Sequence, residues 1–529
     1  MRSASSVVNA RRTGLLVSLF SIPSSRSWGI GEIADIEVFG AWLRSAGQNL
    51  WQLLPVNEMA EGQHSPYSAL SAMAIDPIFI SIDLVEDYAA LGGEATMDEA
   101  ARLDLAGVRS TRVIDYDTVR ALKDGALRPS FERFLEAEWA AGSVRAQRLA
   151  AFCEREAWWL DDYALFRALH ARFVRRWWRE WDEDLRRRDP AALARARRQE
   201  AREILFRQYL QWIAAEQWER ARRASGVMLC GDFPFMVSGD SADVWVYQDA
   251  FDLDASVGAP PDAFAPDGQD WGVPAYRWDV MRARDLAWLR ERARRGAALF
   301  DGYRVDHVVG FYRTYVHPAA GKPYFTPALE SDQTALGEQV LAALAAPGAC
   351  VIAEDLGTVP TVVRTSLTRL GIPGYKVLRW ERAWDEPARP FRDPALYPAV
   401  SVATTGTHDT EPLAVWWDDL APEDRAAVGT LPLLGALGID WKTTGFTAPV
   451  RDALLETMFA SASDFVLLPV QDIFGWRDRI NVPGTVTDAN WTWRMPWSID
   501  TLDDEPEAVK RGAWLRETSR RHQRGGSLR

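Results

Sequence analysis

The stretch Gly-Tyr-Arg-Val-Asp-His, at residues 302–307, decides the fold because it ends an apolar, strand-like run with a carboxylate. Two other stretches have the same form, Ile-Ala-Glu-Asp-Leu-Gly at 352–357 and Thr-Gly-Thr-His-Asp at 405–409. The three carboxylates are Asp306, Glu354 and Asp409. Carboxylates at the C-terminal ends of barrel strands usually serve chemistry, since the loops at that rim build the active site. Three of them in chain order predict an enzyme that acts on glycosidic bonds.

Strand-like and helix-like segments alternate along the chain, which is typical of a parallel sheet with crossover helices. Eight segments are predicted as strands: Leu15–Ile22, Leu50–Val56, Val227–Val237, Leu299–Val309, Cys350–Leu356, Tyr375–Trp380, Val400–Thr407 and Phe465–Gln471. The fold class that we predict is α/β, a (β/α)8 TIM barrel with large, mainly helical insertions. An open doubly wound sheet is the alternative, but the sequence lacks the Gly-rich phosphate loop that usually follows its first strand.

The uneven spacing of these strands predicts where the insertions lie. We expect a single catalytic barrel over 1–520, because length alone does not force several domains on a barrel with insertions. The chain between the second and third strands is far longer than one helix needs, which predicts a mainly helical insertion at 80–225. A second, loop-rich insertion at 246–278 is predicted to border the active site, since long loops are usually functional. The tail at 521–529 is expected to be disordered.

Composition argues for a protein that binds a neutral substrate. The 529 residues carry a net charge of −13, which disfavours a phosphate backbone as partner. The string Arg-Arg-Trp-Trp-Arg-Glu-Trp at 175–181 allows a nucleic-acid interpretation. Acidic residues interrupt that region, so we interpret it as a solvated helix face and expect no nucleic-acid partner. The 25 tryptophans serve either the core or stacking against sugar rings.

The N-terminal region resembles an export signal without meeting its requirements. Residues 10–23 contain Arg-Arg before an apolar run, but the run at 14–22 is short and no Ala-x-Ala pattern follows it. We interpret 14–22 as the first barrel strand. The sequence has no run of 18 apolar residues, so no membrane span is expected. Three cysteines, without metal or disulfide spacing, are consistent with a cytoplasmic protein.

The first of the three stretches has the arrangement that a nucleophile needs. Arg304 and Asp306 are two residues apart in a strand and therefore point to the same side. A nearby guanidinium keeps a carboxylate ionised, and a nucleophile must be ionised. A purely structural ion pair between these two residues is the alternative.

The other two stretches suit proton transfer and sugar binding. Glu354 follows the apolar string Cys-Val-Ile-Ala, so it leaves a buried strand, where burial and neighbouring carboxylates raise a pKa as an acid catalyst requires. A surface pair of Glu354 and Asp355 is the alternative. His408 and Asp409 are both able to bind sugar hydroxyls. No zinc pattern and no hydrolase elbow occurs in the sequence, so we expect no metal and no cofactor.

The sequence from about 14 to 497 resembles the 4-α-glucanotransferases of glycoside hydrolase family 77, which are relatives of the α-amylases. The resemblance is weakest in the helical insertion. The strings that carry it are Trp-Gly-Ile-Gly (28–31), Trp-Gln-Leu-Leu-Pro (51–55), Ser-Pro-Tyr-Ser-Ala-Leu-Ser-Ala (65–72), Gly-Asp-Phe-Pro (231–234), Pro-Pro-Asp (260–262), Gly-Gln-x-Trp-Gly (268–272), Pro-Val-Gln-Asp (469–472) and Asn-x-Pro-Gly-Thr (481–485).

The resemblance implies roles for individual residues. Asp306 matches the nucleophile, Glu354 the general acid/base, and Asp409 the carboxylate that stabilises the oxocarbenium-like state. Trp271 matches an aromatic that covers the acceptor side, and Tyr67 matches one that stacks on the sugar at the cleavage point. The complete set of substrate-binding residues implied by the resemblance is Ser65, Tyr67, Asp232, Asp262, Gln269, Trp271, Arg304, His408 and Asn481.

The activity implied is retaining transfer of α-1,4-glucan segments from malto-oligosaccharides or maltodextrin to another glucan or to glucose. An α-1,4-glucan hydrolase of the amylase group is the alternative, and a non-catalytic glucan-binding protein is a further one. Calcium-dependent α-amylases have an Asn-His pair shortly after the aspartate of the third strand. Asp232 is instead followed by Phe-Pro-Phe-Met-Val-Ser, which speaks against an amylase. We expect a monomer or a homodimer.

Overall fold

The strands of the computed structural model, which describes residues 11–60, 62–261 and 267–525, form a closed barrel and a smaller sheet. The strands are β1 (Arg12–Leu16), β2 (Leu50–Gln52), β3 (Met228–Phe233), β4 (Phe251–Ala259), β5 (Gln269–Tyr276), β6 (Gly302–Val305), β7 (Thr314–Pro318), β8 (Tyr324–Thr326), β9 (Cys350–Ala353), β10 (Gly374–Val377), β11 (Ser401–Thr404) and β12 (Phe465–Pro469). The parallel barrel has the order β1-β2-β3-β6-β9-β10-β11-β12, which confirms the predicted fold class.

Helices surround this barrel and fill the first insertion. The α-helices are α1 (Asp35–Ser45), α2 (Glu86–Leu91), α3 (Glu99–Ser110), α4 (Tyr116–Phe134), α5 (Val144–Arg172), α6 (Glu183–Arg186), α7 (Pro190–Gln199), α8 (Ala201–Ser225), α9 (Ala242–Val246), α10 (Trp278–Ala283), α11 (Ala287–Leu299), α12 (Val309–Tyr312), α13 (Glu330–Ala345), α14 (Thr361–Leu370), α15 (Leu413–Asp419), α16 (Pro422–Val428), α17 (Pro432–Gly435), α18 (Ala448–Phe459), α19 (Val470–Phe474) and α20 (Pro506–Arg521). Among the described residues, no helix is both long and apolar enough to span a membrane.

Each barrel strand overlaps one of the eight predicted apolar runs, but the strands are shorter than the runs, and β1 shares only Leu15 and Leu16 with its run. The first run was predicted over Leu15–Ile22, whereas β1 ends at Leu16. Val17 and Phe20 lie beyond its end and are still buried, at 0% and 1% exposure. Loops at the rim are covered by the insertions, so their residues are as apolar as strand residues. Hydrophobicity therefore overestimates the length of a strand.

The register of the barrel brings the functional stretches to one rim. Asp232 of β3 pairs with Arg304 of β6, and Arg304 pairs with Ile352 of β9. The pairing continues past the strand ends, because the amide of Glu354 donates to Val305 O at 3.0 Å and that of Asp306 to Phe233 O at 3.0 Å. Parallel strands present their C-terminal ends on the same side. The carboxylates of three neighbouring strands therefore converge.

The core has two layers. Alternate strand residues point into the barrel, where they form a separate apolar cluster, and the other residues pack against the helices. The interior cluster consists of Leu50, Met228, Cys230, Ile352, Tyr375, Val377, Val402, Phe465 and Leu467. This filled interior makes the barrel a rigid base for the rim above it.

The predicted insertion at 80–225 is helical in the structure. Helices α2 to α8 lie between β2 and β3, and the long helices α5 and α8 pack against each other. In the Arg- and Trp-rich string at 175–181, Trp178 and Trp181 are buried, whereas Trp177 is exposed over 39% of its surface. The string is therefore not a uniform solvated face.

The predicted loop insertion at 246–278 is largely a β-hairpin. Strands β4 and β5 pair antiparallel within it, and β7 and β8 complete a four-stranded sheet in the order β5-β4-β7-β8. The prediction of a loop-rich segment was wrong in this respect. Strand β4 also pairs with β7, which lies beyond β6 in the chain. The sequence of 246–278 alone does not reveal that pairing.

The C-terminal segment is ordered as far as the structure describes it. Helix α20 ends at Arg521, and Arg524 is buried and donates to Phe459 O and Ser461 O, both at 2.7 Å. The prediction of a disordered tail is therefore wrong for 521–525, because polar contacts hold this segment to the barrel. Residues 526–529 lie outside the described residues.

Candidate active site

A cavity of about 780 Å³ opens at the rim formed by the C-terminal ends of the barrel strands. Asp306, Glu354 and Asp409 all line it, together with Arg304 and Trp271. Its volume is within the range of about 300–1,000 Å³ that is usual for small-molecule sites. The three carboxylates predicted from the strand ends therefore share one cleft.

Arg304 holds the first two carboxylates together. Its Nη2 lies 2.9 Å from Asp306 Oδ1 and 3.6 Å from Glu354 Oε2. The other terminal nitrogen, Nη1, donates to both oxygens of Asp232 at 2.8 and 2.7 Å. The guanidinium is thus surrounded by three carboxylates.

The charge of Arg304 is stable in this position. Burial by itself would lower the pKa of its guanidinium, but the neighbouring Asp232, Asp306 and Glu354 raise that pKa well above the ordinary value. Asp232 has no exposed side-chain surface and does not line the cavity. Its carboxylate fixes Arg304 from behind, so that the opposite edge of the guanidinium faces Asp306 and Glu354.

Glu354 has the environment of a proton donor. Burial raises the pKa of its carboxyl to about 8, with Asp306 and Asp409 adding to the effect and Arg304 opposing it. The backbone amide of His307 donates to Oε2 at 2.6 Å. Because Oε2 accepts this bond and faces Arg304, a proton on the carboxyl belongs on the other oxygen, Oε1.

Asp409 is held on the opposite side of the cleft. Asn481 Nδ2 donates to Asp409 Oδ1 at 2.6 Å, and Arg479 Nη2 donates to the Asp409 carbonyl at 2.7 Å. His408 Nε2 lies 3.4 Å from Asp409 Oδ2. The Asp409 side chain remains 41% exposed, so it is accessible to a ligand although its position is constrained.

Tyr67 forms an aromatic wall between these groups. Its hydroxyl donates to Asp232 Oδ2 at 2.8 Å and lies 3.1 Å from His408 Nε2. Since the single phenol proton points to Asp232, His408 must donate to the phenol oxygen. The Tyr67 ring is stacked on His408 with centroids 5.7 Å apart, and Trp491 contacts both rings.

The β4–β5 hairpin covers the side of the cavity near the nucleophile candidate. Trp271 packs edge-to-face on His307, with ring centroids 5.0 Å apart, and its indole nitrogen donates to Gln269 Oε1 at 3.0 Å. His307 is fixed from the other side by Phe235, at 5.5 Å. Burial lowers the pKa of His307 to about 4, so the ring beneath Trp271 is neutral.

Most residues that the sequence singled out lie in this cleft, but not all of them. The predicted residues that line the cavity are Tyr67, Gln269, Trp271, Arg304, Asp306, Glu354, His408, Asp409 and Asn481. Ser65 does not line it; its hydroxyl accepts from the Tyr67 amide at 3.3 Å and so shapes the turn that presents Tyr67. Asp232 is covered by Tyr67 and Arg304, and Asp262 lies outside the described residues.

Sequence reasoning missed His307 and Trp491. His307 adopts a left-handed backbone conformation with φ of 44°, which is uncommon for a residue other than glycine and turns its amide toward Glu354. The signal available in the sequence was its position next to Asp306. Trp491 also has a positive φ, of 67°, and the string around it contained no pattern that distinguished it from core tryptophans.

No group of three or more metal-ligating side chains was found in the part of the chain that the structure describes. The buried polar groups of the cleft instead bind one another, as Arg304 does with its three carboxylates. This set of residues offers a carboxylate paired with a guanidinium, a carboxyl with a raised pKa and a third carboxylate.

A (β/α)8 barrel with such carboxylates around a buried arginine at its rim defines the class of barrel enzymes that act on glycosidic bonds. The model of the glycoside hydrolase 77 family, described as 4-alpha-glucanotransferase, matches residues 17–500. The chain belongs to this family of 4-α-glucanotransferases.

Individual relatives agree with this assignment. The 4-alpha-glucanotransferase of Thermus thermophilus is 33% identical over 509 residues, which span 92% of this chain and 95% of the relative. That of Chlamydia pneumoniae is 31% identical over 507 residues, or 92% of each chain. The structure of the amylomaltase from Streptococcus agalactiae in complex with acarbose superposes with a TM-score of 0.80 at 27% identity, covering 98% of this chain and 100% of that one. These relatives favour transfer over the hydrolase alternative.

Proposed function

We propose that the enzyme transfers α-1,4-glucan segments with retention of configuration, with Asp306 as nucleophile and Glu354 as general acid/base. In this mechanism Asp306 attacks the anomeric carbon of a malto-oligosaccharide donor while Glu354 protonates the departing glycosidic oxygen. Glu354 then removes the proton from the 4-hydroxyl of the acceptor, which displaces Asp306 from the covalent intermediate. Acceptors are a second glucan or glucose.

The observation that supports this proposal best is the guanidinium nitrogen that Asp306 and Glu354 share. Asp306 Oδ1 lies 2.9 Å and Glu354 Oε2 lies 3.6 Å from Arg304 Nη2. The separation between these two oxygens therefore does not exceed the sum of the two distances. Retaining pairs are separated by about 5 Å, and inverting pairs by about 6.5–9.5 Å to accommodate a water molecule. These two oxygens are therefore closer together than the range for an inverting pair, except at its lower limit, which favours the retaining arrangement.

The surroundings of Glu354 support its two opposite roles. Part of the rise in its pKa comes from the negative charge of Asp306. That charge disappears when Asp306 forms the covalent bond, so the pKa of Glu354 falls in the intermediate. The same side chain is thereby an acid in the first step and a base in the second.

Asp409 is proposed to bind sugar hydroxyls and to stabilise the positive charge of the transition state. Its carboxylate faces the cleft and is oriented by Asn481 and the neighbouring His408. A carboxylate held by fixed donors needs little reorganisation when charge develops next to it. Tyr67 is proposed to stack on the sugar at the cleavage point, because its ring lines the cavity and is held in place by Asp232 and His408.

Transfer requires that an acceptor sugar reach the intermediate before water does. Trp271 of the hairpin packs on His307, the residue next to Asp306. An apolar cover at this point reduces the access of water to the anomeric carbon. We propose that the hairpin serves this purpose.

A time course of the products formed from maltotriose tests the proposed activity. We expect both shorter and longer chains to accumulate, because each glucan that leaves is accepted by another. Formation of only glucose and maltose would contradict transfer.

The Asp306→Asn variant tests the nucleophile. The amide has the same size but is not a nucleophile, so we expect turnover to fall by at least about 10³-fold while the folded state is retained. Circular dichroism controls for the fold. Turnover close to that of the wild type in a clean preparation would remove Asp306 from this role.

We further propose that the enzyme works in the cytoplasm as a monomer or a homodimer. Cys153, Cys230 and Cys350 are free thiols, as is usual in a reducing compartment. Cell fractionation tests the location, and light scattering at several protein concentrations tests the oligomeric state.

A further inference from the structure

Another cavity lies along the hairpin beside the active site and shares Asp270 and Val273 with it. It has a volume of about 360 Å³, which is within the size range of about 300–1,000 Å³ for small-ligand sites. Its walls come from the helical insertion, through Trp177, and from the sheet, through Asp254, Ser256, Asp270 and His317. We call it the hairpin groove.

Trp177 is an exposed aromatic side chain in a fixed position. Its neighbour Trp178 is buried and donates from its indole nitrogen to Gly239 O at 2.8 Å and from its amide to Asp240 Oδ1 at 3.2 Å. The guanidinium of Arg179 lies 5.1 Å from the Trp177 ring centroid and donates to Leu253 O at 3.2 Å. The two residues that follow Trp177 are thus attached to the loop after β3 and to the hairpin, while 39% of Trp177 remains exposed.

Two carboxylates of the groove, Asp254 and Asp270, are hydrogen-bond acceptors. Asp270 accepts from the Gly272 amide at 3.0 Å, and although burial acts to raise its pKa, hydrogen bonds from Ser256 and Gly272 lower that pKa below its usual value. Asp254 is 81% exposed. With two carboxylates on its walls and Arg179 already bound to Asp254 and Leu253, the groove disfavours anions. It suits a neutral ligand that donates hydrogen bonds and has apolar faces.

The hairpin groove is continuous with the active site through strand β5. Asp270 and Val273 line both cavities, and Trp271 between them points to His307 on the active-site side. A long chain that leaves the active-site cavity along the hairpin therefore encounters the groove. We expect a short chain to occupy the active-site cavity alone.

We propose that the hairpin groove is a second binding site for the α-1,4-glucan, with Trp177 as the surface on which a sugar ring stacks. Sugar rings have apolar faces that match an indole and hydroxyl groups that match carboxylates such as Asp254 and Asp270. The inference rests on the proposed active site, since it assumes that the glucan leaves that cavity along the hairpin. It assigns to the helical insertion a part in the recognition of long substrates.

Steady-state kinetics with a short and a long donor test this site. In the Trp177→Ala variant we expect KM for a long linear maltodextrin to rise roughly tenfold, the factor that corresponds to about 1.4 kcal/mol of lost binding. We expect kcat, and all parameters for maltotriose, to stay at wild-type values. The Trp139→Ala variant is the matched control, because Trp139 is 38% exposed on the same insertion but lines neither cavity.

A second variant guards against misfolding of the first. Ala319 is exposed at the edge of the groove, so Ala319→Leu should fold normally, fill part of the groove and raise KM for the long donor alone. An unchanged KM for the long donor in both folded variants would overturn the proposal. The two proposals fail in different experiments. If the proposed active site is wrong, the Asp306→Asn variant retains turnover; if only the groove is wrong, that variant is inactive and KM for the long donor does not change in the groove variants.

Discussion

At the scale of single residues, the active site is organised around Arg304. Its guanidinium is buried, so its hydrogen bonds are not weakened by competition with water. Asp232 occupies one side of it and leaves the other side for Asp306 and Glu354. The arginine forms an ion pair with Asp306 at 2.9 Å, whereas the burial of Glu354 prevails over the same arginine and favours the protonated form of that carboxyl. One cation thus serves two carboxyl groups with opposite requirements.

The pH dependence of the first step should report the raised pKa of Glu354. Only the protonated form acts as an acid, and the protonated fraction decreases as the pH rises through the pKa of about 8. With maltotriose we therefore expect kcat/KM to fall about tenfold per pH unit above that point. With α-maltosyl fluoride, whose leaving group needs no proton, this alkaline decrease should be absent. The same decrease with both donors would show that another group is responsible.

At the scale of elements, the hairpin and the turn after β6 meet in the contact between Trp271 and His307. The left-handed conformation of His307 directs its amide to Glu354 and its ring to the hairpin. Val308 N also donates to Glu354 O, at 3.2 Å. One turn therefore links Trp271, which covers part of the cavity, to Glu354.

Loss of the contact between Trp271 and His307 should increase hydrolysis at the expense of transfer. We expect Trp271→Ala to raise the fraction of donor that ends as hydrolysis product several-fold, because water gains access to the intermediate. His307→Asn should act similarly, since asparagine tolerates the left-handed conformation but lacks the ring. Product analysis by chromatography measures both.

The combination of the two substitutions shows whether they act through one contact. In the double variant, the fraction of donor that is hydrolysed should be little higher than in either single variant, because both substitutions remove the same contact. Trp271→Phe, which retains an aromatic edge over His307, serves as the control. Fully additive effects on the fraction of hydrolysis would mean that the two residues act independently.

At the scale of the whole molecule, the helical insertion is anchored to the barrel by buried polar contacts. Lys123 of α4 is 2% exposed, and its Nζ lies 2.7 Å from Oε1 of Glu32, which follows β1. The same ammonium donates to the carbonyls of Ile78 and Ile80 at 2.5 and 2.8 Å. The insertion and the barrel are therefore expected to unfold together.

Removal of one partner of this pair should destabilise the whole protein. Lys123→Met leaves the buried Glu32 without its cation, and such a change typically costs about 3–5 kcal/mol. Replacement of both residues, Lys123→Met with Glu32→Gln, should recover a large part of this loss because no unpaired charge remains. Urea denaturation followed by circular dichroism measures the free energy of unfolding. Equal destabilisation by the single and double variants would contradict this explanation.

Much of this architecture was predictable from local patterns. Each of the eight barrel strands is an apolar run, and Asp306, Glu354 and Asp409 mark the point where such a run ends. The hairpin was not predictable as such, because the burial patterns of β4 and β5 do not alternate regularly and their pairing contains register shifts. Strand β4 also pairs with β7, which lies on the far side of β6. Strand partners that are distant in the chain leave little trace in the segment itself.

The sequence by itself determined the barrel, the identity of its rim carboxylates and the family, because these depend on which residue types follow one another along the chain. Only the tertiary structure decided that Asp232 lies behind Arg304 and not in the cleft, and that the turn at His307 orients Glu354. It also decided that Trp177, in a string that looked like a charged helix face, borders a groove. Burial, pKa and accessibility depend on neighbours from other strands, and only the folded chain brings those neighbours together.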